Sequence, residues 1–173
     1  AQTFREALQS YYFSYLMLHW EVVPSIGFSQ GRMDQYLYSY YENDIIEERS
    51  TREEAQELLD CYFLAVNFES EDSPITVGGV NIHGRDATNE LSYMLVEASM
   101  HTRLKSPWMS VLLHHKTPEE LLIKAAQLCA LGTGHPQFVN NDVMIEQALA
   151  RGDMGGPAIT LQDARNASPQ GCF

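Results

Sequence analysis

The three cysteines are residues whose thiols could carry chemistry, and their sequence surroundings differ. Cys172 follows the residues SPQG, a stretch that cannot lie inside a helix. Its thiol is therefore predicted to stand on a loop, either as a reactive group or as an exposed thiol without function. Cys61 and Cys129 fall among leucines of predicted helices, and we expect them to be buried packing residues. An odd number of cysteines at long spacings argues against a disulfide framework and against a zinc ribbon.

The six histidines are the other residues that could bind a metal. His114 and His115 are adjacent in a predicted strand, so their side chains should point to opposite sides and cannot chelate one ion. The remaining four fall in separate predicted elements: His19, His83, His101 and His135. The spacing predicts hydrogen-bonded core or surface histidines and no bound metal.

No hydrolase or nucleotide motif accompanies these residues. The sequence lacks a Gly-x-Ser-x-Gly elbow, and TVGGVNIHG lacks the spacing of a phosphate-binding glycine loop. The glycine pair Gly78-Gly79 ends the short β-branched run SPITVGG, which is typical of a strand whose end approaches another backbone closely.

The elements that must position these residues alternate between helix and strand. The periodicity predicts strands near 73–79, 107–114 and 136–141, and helices over 1–20, 87–104, 117–132 and 142–150. A further helix should begin at a capping box formed by Ser50 and Glu53. The other three predicted helix caps are Asp86, Thr117 and Asp142. This order predicts an α/β fold.

Chain length and net charge limit which classes of function the protein could have. The chain has 173 residues, 45% of them hydrophobic, which fits one domain or part of a larger one. Its 11 Lys and Arg against 23 Asp and Glu give a net charge of -12, which would repel a nucleic acid backbone. The sequence has no apolar stretch of membrane-spanning length and no basic leader pattern, so we expect a cytoplasmic protein.

Several stretches resemble the glycyl radical enzymes of the pyruvate formate-lyase type, and their order and spacing agree across the chain. The matching stretches are GFSQGRMDQYLYSYYENDI, REEAQELL, TVGGVNIHGRDATNELSYMLVEA, PWMSVLLH, GHPQFVNNDVMI and the terminal Gly171-Cys172.

The resemblance implies a fold larger than this chain. It implies a ten-stranded β/α barrel, built from two antiparallel five-stranded half-barrels with surrounding helices. Residues 1–173 are then expected to be an internal fragment of a single catalytic domain that ends at the cysteine loop. The glycine-radical domain would lie outside the chain.

The resemblance also implies a chemistry, in which Cys172 forms a thiyl radical that abstracts hydrogen from a small organic substrate. The radical glycine would lie on a residue outside this chain and be installed by a radical S-adenosylmethionine activase. No bound cofactor is expected in the subunit itself, which would form a homodimer. Gly78, Ile75 and Val77 are the candidate substrate-binding residues, although a structural close approach explains the glycine equally well.

The reaction branch stays open. The resemblance implies two adjacent cysteines at this place in pyruvate formate-lyase itself. This chain has only Cys172 there, which disfavours transfer of an acetyl group to a neighbouring thiol. C–O, C–N or C–C cleavage by a dehydratase, amine lyase or decarboxylase is therefore expected, with formate acetyltransferase-like or fumarate-adding chemistry as alternatives. A non-catalytic acidic binding module is the alternative of another class. Arg32, Asp34 and Asn89 match family positions that are expected to hold the fold together through buried hydrogen bonds.

Overall fold

A computed structural model describes residues 1–22, 29–69, 73–151 and 158–169, and the structural statements below refer to these ranges. They contain eight helices and four strands in mixed order. The elements are α1 Phe4–Val22, β1 Gly31–Arg32, α2 Met33–Tyr36, α3 Tyr38–Ile46, α4 Arg52–Glu69, β2 Ile75–Gly78, α5 Glu90–Thr102, β3 Met109–Leu113, α6 Glu119–Ala130, β4 Gln137–Asn140, α7 Asn141–Ala150 and α8 Leu161–Asn166.

The strands form one parallel sheet in the order β1-β2-β3-β4. Helices lie in each connection, as parallel pairing requires a long crossover. The α/β class predicted from the sequence is therefore confirmed. The sheet of the described ranges has four strands, and a ten-stranded barrel is not seen in them.

One face of the sheet, which we call the apolar face, builds the core. It consists of alternate residues of β2 and β3 that are in register with one another: Ile75, Val77, Met109 and Val111. These four side chains are fully buried in a cluster with apolar residues of the helices, among them Met94 and Leu95 of α5 and Leu121, Ala125 and Leu128 of α6. Burial of this face supplies the main driving force for packing the helices onto the sheet.

Two helices begin one or more residues after the caps that the sequence predicts. The capping box of α4 pairs Thr51 with Glu54, since the Thr51 amide donates to the Glu54 carboxylate at 2.9 Å and the Glu54 amide donates to Thr51 Oγ1. The predicted pair of Ser50 and Glu53 is wrong by one position. Asn89, not Asp86, caps α5 through a reciprocal box with Ser92.

The predicted caps of α6 and α7 are also wrong, because other partners bind their side chains. Thr117 Oγ1 accepts from the His114 amide at 2.8 Å, and α6 begins after Pro118 with no side-chain cap. Asp142 binds His115, and Asn140 caps α7.

The short helix α8 was not predicted from the sequence. Its capping box of Thr160 and Asp163 is a signal that could have located it. None of the described helices is long and apolar enough to cross a membrane.

Candidate functional site

A row of polar side chains crosses the other face of the sheet, which we call the polar face. Thr76 of β2 is in register with Ser110 of β3, and Ser110 is in register with Gln137 of β4. Residues in register on parallel strands project from the same side, so the three side chains are neighbours. The Ser110 hydroxyl donates to Gln137 Oε1 at 3.2 Å. Thr76 and Ser110 are buried, although both are polar.

Arg32 extends this row to β1, where it is in register with Thr76. Its guanidinium donates to the carbonyls of Gly78 at 2.7 Å, of Val80 at 2.8 Å and of Arg165 at 3.0 Å. Burial lowers the pKa of the guanidinium, and the nearby charge of Asp34 opposes this shift. Arg32 therefore links the carboxyl end of β2 to the last part of the described chain.

Asp34 holds the same strand end from the side of the core. Its carboxylate accepts from the Gly78 amide at 2.8 Å and from the Ser92 hydroxyl at 2.6 Å, and its carbonyl accepts from the Asn89 side chain at 2.8 Å. Complete burial raises the pKa of the carboxyl, against the effect of these hydrogen bonds and of Arg32. The sequence-based expectation of buried hydrogen bonds that hold the fold is confirmed for Arg32 and Asp34, whereas the hydrogen bond from Asn89 to Asp34 is only partly buried.

The glycine pair at the end of β2 permits this close packing. Gly78 and Gly79 have φ of 76° and 80°, which is the left-handed region. A Cβ on Gly79 would lie 2.9 Å from the Asn141 Oδ1 and from the Leu112 side chain. A Cβ on Gly78 would lie 3.1 Å from the backbone carbonyl oxygen of Leu112, so the close approach to another backbone predicted for this pair is confirmed.

A C-terminal arm, residues 158–169, lies against the polar face. The Thr76 and Ser168 hydroxyls are 3.0 Å apart, and the Arg165 guanidinium donates to the Ile82 carbonyl at 3.1 Å. A Cβ on Gly84 would lie 2.8 Å from Arg165 Nη2, so this glycine leaves room for the guanidinium. The arm is thus fastened to the end of β2 and to the turn that follows it.

The sequence-predicted site residues fall in three places. Ile75 and Val77 lie on the apolar face without exposed surface. Gly78 lies at the strand end between Asp34 and Arg32. Substrate contact by these three residues stays a prediction. Cys172 lies outside the described residues, so its assigned role also stays a prediction.

Sequence reasoning missed the polar row. A signal was present, because Thr76 and Ser110 each interrupt a run of apolar strand residues. A polar residue at the centre of a buried strand needs a partner, and for Thr76 that partner is Ser168.

The two helical cysteines are not packing residues. Both Cys61 and Cys129 are exposed, and the prediction that they are buried is wrong. The buried stripe of α4 runs through Ala55, Leu59 and Val66, and Cys61 falls outside it.

The histidines of the carboxyl edge bind separate carboxylates. His114 Nε2 lies 2.9 Å from Asp86, and His115 Nδ1 lies 3.2 Å from Asp142. In the described ranges no three His, Cys, Asp or Glu side chains converge as metal ligands would. A cavity of about 490 Å³ between α1 and α4 is lined by Asp44, Arg49 and Glu54 among others and lies apart from the polar row.

Comparison with known proteins finds, over the whole length of this chain, the family that the sequence resembles. The family model described as "PFL-like: Pyruvate formate lyase-like" matches residues 1–173. The chain is 33% identical to (2S)-3-sulfopropanediol dehydratase of Klebsiella oxytoca, over 99% of this chain and 22% of that protein. It is 35% identical to the 4-hydroxyphenylacetate decarboxylase glycyl radical subunit of Clostridioides difficile, over 99% of this chain and 20% of that protein.

A solved structure of the Roseburia inulinivorans protein of 1,2-propanediol dehydration agrees with this fold. Its TM-score is 0.89 at 37% identity, covering 99% of this chain and 23% of that chain. The chain therefore spans about a fifth of the length of the relatives that it matches.

Proposed function

The chain belongs to the pyruvate formate lyase-like family, and from this premise we propose that it forms the cysteine-bearing part of a glycyl radical lyase. The observation that carries the proposal is the family match over residues 1–173. The proteins similar to this chain include a dehydratase and a glycyl radical decarboxylase subunit. The whole protein would be a homodimer in the cytoplasm that acts on a small organic substrate. Its strands would belong to a ten-stranded barrel, of which the parallel sheet is one portion.

The proposed reaction uses Cys172 as a carrier of one hydrogen atom. A glycine radical outside this chain takes the hydrogen of the thiol, which leaves a thiyl radical and a restored glycine C–H bond. The thiyl radical then takes a hydrogen atom from a substrate C–H bond, giving a thiol and a substrate carbon radical. In a dehydration, the substrate radical loses its hydroxyl group and a proton as water and becomes the product radical. The thiol returns a hydrogen atom to the product radical, and the resulting thiyl radical takes a hydrogen atom from the glycine, which restores the glycine radical. The glycine radical would be installed beforehand by a radical S-adenosylmethionine activase.

The position of the C-terminal arm supports this role for Cys172. Ser168 contacts Thr76 on the polar face, and Cys172 follows Ser168 by four positions in the sequence.

Dehydration, the cleavage of a C–O bond in a hydroxylated substrate, is the reaction we place first. The similarity to proteins of sulfopropanediol and propanediol dehydration favours it. Decarboxylation is the second candidate, favoured by the 35% identity to the decarboxylase subunit.

The test uses the complete protein that contains this chain, activated without oxygen by an activase and S-adenosylmethionine. Electron paramagnetic resonance would measure the glycine radical, and product analysis would measure turnover of 1,2-propanediol, glycerol and 4-hydroxyphenylacetate. We expect Cys172→Ser to keep the radical and to lose turnover. Cys129→Ser, which changes an exposed helical cysteine, is the matched control and should keep both. Turnover by Cys172→Ser at the unaltered rate would refute the proposed role.

A further inference from the structure

We propose that an α-helix from the rest of the same polypeptide, outside residues 1–173, docks on the outer side of helices α1 and α4. The docking site, which we call the α1/α4 surface, consists of Phe13, Met17, Trp20, Leu64 and Phe68. The inference rests on the part of the proposed function that places this chain in a longer protein. It concerns how the chain joins that protein and not which reaction follows.

Helix α1 carries apolar side chains on its outer side as well as on its buried side. Phe4 and Leu8 belong to the core cluster. Phe13 and Met17 each follow one of these residues by nine positions, which places them on the opposite side of the helix. Phe13, Met17 and Trp20 are 52%, 70% and 67% exposed. A helix that is apolar all round is typical of the interior of a larger protein, and the described residues cover one side of this helix.

Helix α4 lies beside α1 and shows the same pattern. Leu64 and Phe68 are four positions apart, so they share one side of the helix, and they are 54% and 87% exposed. The rings of Tyr12 in α1 and Tyr62 in α4 are 6.0 Å apart. The second halves of the two helices, which carry the exposed apolar residues, are therefore neighbours.

A groove between the two helices completes the α1/α4 surface. Its volume is about 200 Å³, and Leu8, Tyr12, Leu58 and Ala65 are among the residues that line it. Two adjacent helices present ridges of side chains with a groove between them, and a third helix packs there through its own apolar residues. The shape of the surface therefore favours a helix as the occupant.

The exposed apolar area is large for a surface in contact with water. At about 200 Å² for each aromatic side chain, the exposed fractions of Phe13, Trp20 and Phe68 correspond to about 400 Å². Met17 and Leu64 add to this area. The largest apolar patch of a typical monomer measures about 300 to 600 Å² and is often functional. An apolar surface of this size indicates an interaction site.

The length of the relatives favours the same polypeptide as the source of the docking helix. The chain covers 22% of the sulfopropanediol dehydratase, so about four-fifths of that protein lies outside the matching part. In the solved Roseburia inulinivorans structure, the part that shares this fold is 23% of the chain. A protein of that length has further segments that could cover the α1/α4 surface.

Charge argues against a second copy of this chain as the cover. Glu21 follows Trp20 in α1, and Glu69 follows Phe68 in α4. A two-fold contact joins the same surface of both copies, so it would bring these carboxylates of two chains of net charge -12 together. Like charges across an interface disfavour binding. We therefore expect the docking helix to carry Lys or Arg beside its apolar residues.

The experiment introduces a photocrosslinker into the complete protein before activation. The amino acid p-benzoylphenylalanine replaces Met17 in one variant and Phe68 in another. In the matched control it replaces Ile46, which is 71% exposed at the end of α3. After irradiation, a denaturing gel shows whether one chain or two are joined, and mass spectrometry identifies the linked peptide.

We expect both surface variants to give one main product of single-chain mass. Its second peptide should lie outside residues 1–173, in a predicted helix with Lys or Arg beside apolar residues. The yield should exceed that of the Ile46 control by at least about tenfold, because a single exposed apolar side chain needs no cover. Hydroxyl radicals should also label Met17, Trp20 and Phe68 of the unaltered protein at least about tenfold more slowly than in the unfolded protein.

A product of two-chain mass would identify a second copy as the cover and overturn the proposal. A crosslink within residues 1–173, a yield equal to that of the control, or labelling as fast as in the unfolded protein would also overturn it. The labelling experiment needs no substitution, so it decides the question even where a variant does not fold. Failure of the proposed function is a separate result, because it is measured as turnover that Cys172→Ser retains, whereas crosslinking and labelling use the protein before activation.

Discussion

The apolar and polar faces of the sheet differ although they share the same strands. On β2, Ile75 and Val77 are buried in the core cluster, whereas Thr76 between them contacts Ser168 of the arm. On β3, Met109 and Val111 belong to the core, and Ser110 contacts Gln137. Alternate residues of a strand therefore belong to different parts of the molecule: one set packs in the core, and the other contacts the polar side chains and the arm. Substitutions at adjacent positions should therefore affect different properties of the protein.

The largest expected effect on stability is on the apolar face. Ile75→Ala should lower the free energy of unfolding by about 2 to 5 kcal/mol, because it removes buried apolar volume and leaves a cavity. Ile123→Ala is the matched control, since Ile123 of α6 is 51% exposed, and it should change stability by at most about 0.5 kcal/mol. Chemical denaturation of the chain measures both. Equal effects would remove the distinction between buried and exposed isoleucine.

The next effect is expected at the strand end, where the two faces meet the following turn. Gly79→Ala should lower stability by more than about 1 kcal/mol, because the residue has a positive φ and the new Cβ would clash with Asn141 and Leu112. Gly132→Ala has a similar φ of 73° with nothing within 4 Å of the new Cβ, so it measures backbone strain alone. Denaturation midpoints of the two variants should differ, with Gly79→Ala the lower.

A reciprocal exchange tests the two faces directly. Val77→Thr places a hydroxyl on the apolar face and should cost about 1 to 3 kcal/mol, since the hydroxyl is buried among apolar groups. Thr76→Val removes the contact with Ser168 and should cost about 0.5 to 1.5 kcal/mol.

Activity should show the opposite order. In the activated complete protein, Thr76→Val should reduce turnover more than Val77→Thr does, because only Thr76 contacts the arm. The same order for stability and for turnover would contradict the division between the faces.

The smallest effect on stability is expected at the amino end of the sheet, where His135 influences how stability changes with pH. His135 donates from Nε2 to the Lys105 carbonyl, and burial lowers its pKa below 6.5 despite this bond. Because the unfolded chain then binds a proton more readily, the stability contributed by neutral His135 is present above pH 6.5 and declines as the pH falls through this value. His135→Gln should flatten that decline.

Thermal unfolding between pH 5 and pH 8 measures this effect. A slope for His135→Gln as steep as that of the parent would argue against a role for His135 in the pH dependence.

Three of the four described strands and the longer helices could be predicted from the sequence because their signals are local, whereas the two-residue strand β1 and the short helix α8 were not predicted. The run SPITVGG indicates both β2 and its tight end, and apolar periodicity locates α4 and α5. The predicted helix caps were wrong where the capping side chain binds a residue distant in sequence: Asp86 binds His114, and Asp142 binds His115. Such partners are set by the tertiary fold and leave no signal at the cap itself.

The candidate site could be predicted only in part for the same reason. A family match assigned a structural role to Arg32, Asp34 and Asn89, and the hydrogen bonds agree. The row of Thr76, Ser110 and Gln137 depends on the register of three strands, which no single segment contains. The exposure of Cys61 and Cys129 depends on which side of each helix meets the core, and leucine neighbours alone did not settle it.

The order of the strands has a consequence for synthesis on the ribosome. Because spatial order follows chain order, every strand pairs with the one translated immediately before it. The nascent polypeptide can therefore extend the four described strands stepwise, each new strand pairing with the one before it. The outer edges of β1 and β4 stay unpaired in these strands, and such edges are open to aggregation until they are covered.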